Sequence, residues 1–125
     1  MYHVVIEKAS KGKVKEKDGY YYVDFDRVLA HHEVGQGYAI GKPIPEMVKR
    51  VKKLIELGGK VKIFTARVSG GAHRVKEVED WLKDNGLPEL EVTNIKGQDA
   101  IAFWDDKAKE VLPNKGKFRN SKLYD

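Results

Sequence analysis

Two aspartates separated by one residue close the run Tyr20-Tyr21-Tyr22-Val23-Asp24-Phe25-Asp26. Its aromatic and β-branched residues predict a buried strand that leaves the core at the acid-apolar-acid end. In an extended chain Asp24 and Asp26 face one side and Phe25 the other. Like charges held that close need compensation, and a divalent cation bound by oxygen ligands supplies it. A strand end entering a polar turn would contain the same residues without any chemistry, so the choice falls to what lies downstream.

Polar groups recur wherever a later apolar run stops. The strand Val61–Thr65 finishes on Thr65-Ala66-Arg67, Lys96 follows Leu90–Ile95, and Asp105-Asp106 follows Ala100–Trp104. Between these runs lie two stretches with helical periodicity. Ile44, Met47, Val48, Val51, Leu54 and Ile55 recur at three- and four-residue steps and stop at Gly58-Gly59. Ala72, Val75, Val78, Trp81 and Leu82 repeat the pattern up to Asn85-Gly86. Strands alternating with amphipathic helices predict a mostly parallel sheet with helices on both faces, a Rossmann-like three-layer α/β sandwich. The nearly all-apolar Ala100–Trp104 is expected at its centre.

Ligands of such sheets bind beyond the carboxyl ends of the strands. The topology therefore gathers Asp24, Asp26, Thr65, Lys96, Asp105 and Asp106 on one rim. Carboxylates for a hard cation, a hydroxyl and an ammonium are what phosphoryl transfer requires. With no cysteine in the chain, and no serine-histidine pairing, a carboxylate is the candidate nucleophile. Taken singly, each residue has a plainer reading: Thr65 ends a strand, Arg67 is a solvated loop arginine, and Asp106 caps a following helical turn. Ser69-Gly70-Gly71 could cradle an anion or simply connect two elements.

In this order, Val23-Asp24-Phe25-Asp26, Ile63-Phe64-Thr65, Lys96 and Trp104-Asp105-Asp106 resemble the haloacid dehalogenase superfamily of phosphatases, in a small form without a cap domain. The resemblance runs from about Tyr20 to Pro113. It implies Asp24 as the nucleophile that forms an aspartyl-phosphate and Asp26 as the general acid and base. It further implies that Thr65 holds the phosphoryl group, with Ala66, Arg67 and Arg27 beside it, and that Lys96 orients Asp24. Asp105 and Asp106 would bind Mg2+ with Asp24 and the Asp26 carbonyl. The chain departs from the family where glycine usually follows the second aspartate, because Arg27 stands there. A long cation beside the metal either recruits phosphate or obstructs it.

At 125 residues the chain is expected to form one domain. A β-hairpin or edge strand is expected in residues 1–19, a loop in 27–41, a last helical turn before Glu110–Pro113, and a basic tail in 114–125. The adjacent His31 and His32 diverge in an extended loop and make a weak metal signal. The net charge of +5 is concentrated at the ends: residues 1–17 hold five lysines against two glutamates, and residues 114–125 hold four basic residues against one aspartate. Such ends could follow a phosphate backbone or serve as solvated edges. No apolar run approaches a bilayer span, and no signal peptide is evident, so a cytoplasmic protein with no membrane partner is expected. The expected function is Mg2+-dependent hydrolysis of a phosphomonoester, on a small molecule or a nucleic-acid end. The alternative is a non-catalytic phosphate- or nucleic-acid-binding module. A receiver-like phosphoacceptor is disfavoured because the third strand ends in Asn94.

Overall fold

The computed structural model describes residues 18–119. Residues 1–17 of the hairpin expected over 1–19, with most of its charge, lie outside the described residues. Strand β1 spans Tyr20–Asp24, helix α1 Pro45–Glu56, β2 Val61–Phe64, α2 Ala72–Asp84, β3 Glu91–Thr93 and β4 Ala100–Trp104. All strand pairs are parallel, in the order β3-β2-β1-β4. This is the order of the first four strands of a Rossmann sheet.

The α/β class predicted from the sequence is therefore what forms. β1 is buried as its composition predicted, and it lies inside the sheet: Tyr21, Tyr22 and Val23 are all at most 2% exposed. β4 is a correction, since among the described strands it lies at the edge. Its apolar residues are used in packing against β1, where Trp104 meets Tyr21 edge-on at 6.0 Å and Phe103 lies 5.0 Å from Tyr22. An apolar run measures burial of side chains, which an edge strand can also achieve.

Pro45 opens α1 at a position where its missing N–H costs nothing. Gly58, at φ +97°, ends it by turning the chain so that the Gly58 and Gly59 N–H groups reach the carbonyls of Ile55 and Leu54. Val48, Val51 and Leu54 are its buried stripe, and Val78 and Leu82 are that of α2. The β1-α1-β2 and β2-α2-β3 crossovers advance in the same direction across the sheet, and right-handed connections then set both described helices on one face, where helices on both faces were expected. One core accordingly unites both helices with Tyr21, Val23, Val61 and Ile63. The alternate residues Tyr22, Phe64 and Phe103 form an aromatic cluster on the other face.

Two expectations for the connecting segments change. Residues 66–70 form a short 3-10 turn, where the sequence suggested only a connection around Ser69-Gly70-Gly71. Among the described residues no helix follows β4; Val111 is 53% exposed and bridges Phe118 instead of completing the core.

Candidate functional site

The ends of β1 and β4 bring Asp24, Asp105 and Asp106 together. One carboxylate oxygen from each lies within 4.8 Å of the other two. Parallel pairing produces this meeting, because Val23 is in register with Trp104 and the acids of both strands come next. Asp24 is partly buried, and its Oδ1 accepts from the Phe25 N–H at 2.9 Å. Burial raises its pKa to about 6, and the charges of Asp105 and Asp106 push the same way against that hydrogen bond. Asp105 Oδ1 also accepts from the N–H groups of Lys107 and Ala108 at 2.7 and 3.1 Å. Asp105, rather than Asp106, thus caps the following turn, and no helix extends from it.

The Asp26 carboxylate goes elsewhere. Arg67 donates to both its oxygens, from Nε at 2.8 Å and Nη2 at 2.9 Å. Register explains the pairing: Asp24 sits opposite Phe64, so residues just past each strand end are neighbours. Arg67 is only 6% exposed and also donates to the carbonyls of Tyr38 and Ala39, at 2.5 and 3.3 Å. It therefore pins the loop of residues 27–41 to the end of β1. The beginning of that loop is packed down, since Val28, Leu29 and Ala30 are buried and the Phe25 carbonyl accepts from the N–H groups of Leu29 and Ala30. Its exposed portion lies farther on, at Val34 and Tyr38.

Thr65 is buried; its Oγ1 accepts from the Arg67 N–H at 3.1 Å, and its own N–H donates to the Thr93 carbonyl. Ala66, exposed, begins the 3-10 turn. Lys96 is exposed, with Nζ 5.0 Å from the centre of the Phe103 ring. Among the described residues no ion pair joins it to Asp24. Arg27 has φ +71°, the left-handed conformation for which glycine is suited, and its Nε lies 3.2 Å from Asp106 Oδ2. The structure thus groups Asp24, Asp105, Asp106 and Arg27, and gathers Asp26, Arg67 and Thr65 in an adjoining network.

Sequence reasoning missed the Arg67 clamp and its carbonyl partners. The available signal was positional: Arg67 lies three residues past the end of β2 and Asp26 two residues past the end of β1. Among the described residues the only group of three or more acidic or histidine side chains with metal-ligating spacing is the Asp24, Asp105, Asp106 set. His31 and His32 take no part in it. No described helix is long and apolar enough to cross a membrane.

No protein-family model and no curated protein matches the chain. A solved structure of a conserved protein from Bacteroides thetaiotaomicron is similar in fold, with a TM-score of 0.58 and 20% identity over 74% of this chain and 78% of that one. At that identity the likeness establishes the α/β architecture alone.

Proposed function

We propose that this protein is a Mg2+-dependent phosphomonoester hydrolase working in the cytoplasm through an aspartyl-phosphate on Asp24. The observation that carries this reading is the convergence of Asp24, Asp105 and Asp106 within 4.8 Å. Three carboxylates offer oxygen donors only, the chemistry that suits a hard divalent cation. A bound Mg2+ would neutralise charge on the phosphoryl oxygens and hold the ester near Asp24.

An Asp24 oxygen attacks phosphorus while the bond from phosphorus to the leaving oxygen breaks, and a proton from Asp26 goes to that oxygen. Water then attacks the phosphoryl group, Asp26 takes its proton, and orthophosphate leaves with Asp24 regenerated. Asp26 serves in this way when one of its oxygens turns away from Arg67. Thr65, with its hydroxyl at the end of β2, and the Ala66 N–H are the donors assigned to the phosphoryl oxygens. Lys96 would have to swing from Phe103 to reach Asp24. With no cap domain among the described residues, the rim admits large substrates, including phosphate-bearing nucleic-acid ends drawn by the basic termini.

The Arg27–Asp106 ion pair favours a second reading, a binding module that retains the fold without turnover. The two are separated by assaying an aryl phosphate with Mg2+ and with chelator, for wild type and Asp24→Asn. Metal-dependent turnover lost in the variant is the expected result. No turnover, with salt-sensitive oligonucleotide binding that survives Asp24→Asn, would establish the binding module instead.

A further inference from the structure

Arg27 combines two features that are each unusual. Its backbone holds φ +71°, where a side chain bearing a Cβ is disfavoured. Its guanidinium pairs with Asp106, a member of the three-carboxylate group, and among the described residues it has no other ionic partner. The side chain is 52% exposed and borders a recess of about 290 Å3 walled by Val28, Met47 and Trp104, so it has room to move.

We propose that Arg27 is a resident cation of the site. It holds Asp106 in the metal-free protein, yields that carboxylate when a divalent ion binds, and then offers its guanidinium to the phosphoryl oxygens of the ligand. This inference rests on the metal-dependent reading above. One guanidinium offsets one carboxylate, whereas a divalent ion held by all three acids takes Asp106 and repels the guanidinium. The released fork matches a phosphate bidentately, and its rotation leaves Asp106 to the metal. Metal and phosphate should therefore bind cooperatively, each strengthening the other by the same factor.

The test uses Mn2+ and orthophosphate as probes, with calorimetric titration of wild type, Arg27→Ala and Arg27→Gly. Glycine suits the backbone angle, so the Gly variant keeps the fold even if the Ala variant does not. Both variants are expected to bind Mn2+ roughly two to five times more tightly than wild type, the scale of a partly exposed ion pair. At saturating Mn2+ they should bind orthophosphate about fivefold more weakly, and the cooperativity should fall to what direct metal-phosphate attraction supplies. Unchanged or weaker Mn2+ binding in the folded variants overturns the inference alone, as does unchanged orthophosphate binding. Absence of Mn2+ binding in all three proteins overturns it together with the proposed function.

Discussion

Asp24 is placed where its charge is disfavoured. Burial and two neighbouring carboxylates hold its pKa near 6, above the ordinary value of 3.8. The folded state therefore binds a proton more tightly than the unfolded chain between about pH 4 and pH 6. Stability of the metal-free protein falls, through this group, as pH rises across that window and stays reduced above it. Asp24→Asn removes the penalty. Its expected result is a melting temperature about 3–6 °C higher at pH 7 without metal, with a flatter stability profile between pH 4 and pH 6. Thermal melts over a pH series check this, and an unchanged or lower melting temperature would contradict it.

The loop between β1 and α1 is an element with its own fastenings. Arg67 ties its far portion to Asp26, and Trp81 of α2 ties its end by donating from Nε1 to the Gly41 carbonyl at 3.0 Å. Arg67→Ala leaves a carboxylate and two carbonyls without their donor. Because the Asp26 side chain is a quarter exposed, the expected loss is about 2–3 kcal/mol rather than the full cost of breaking a buried pair. Arg67→Lys should recover little, since an ammonium cannot reproduce the two-pronged contact. Denaturant titration gives the loss, and proteolysis within residues 33–39 should accelerate. Gly41 tests the other fastening: a Cβ there would collide with the His31 carbonyl, which is backbone and cannot rotate away. Gly41→Ala is expected to destabilise by about 1–3 kcal/mol, again read by denaturant titration.

Across the whole molecule, binding at one rim should register as global stability. The acids of β1 and β4 meet only in the folded chain, so a cation that they bind stabilises the fold. At a Mg2+ concentration one hundred times its dissociation constant the gain is about 2.7 kcal/mol. The expected outcome is a higher melting temperature with Mg2+ for wild type and a much smaller response for Asp24→Asn and Asp105→Asn. An equal response in all three proteins would place the bound ion elsewhere. The same dependence reverses the pH effect of Asp24, because a cation favours its charged form.

Much of this arrangement is legible along the chain. Periodicity marks both helices and the strands, and parallel topology requires acids at neighbouring strand ends to share a rim. That is how Asp24, Asp105 and Asp106 can be grouped before any coordinates. What local pattern cannot contain is a contact between distant segments. Whether Ala100–Trp104 is central or peripheral depends on which strands pair, and an apolar composition serves either place. Whether Asp26 faces the acids or Arg67 depends on how β1 and β2 are registered and where the loop carbonyls come to rest. Sequence settles which groups reach the carboxyl end of the sheet; tertiary structure alone decides how they partition between an acidic cluster and a guanidinium clamp, because that choice rests on ångström-scale distances set by the packing of the whole chain.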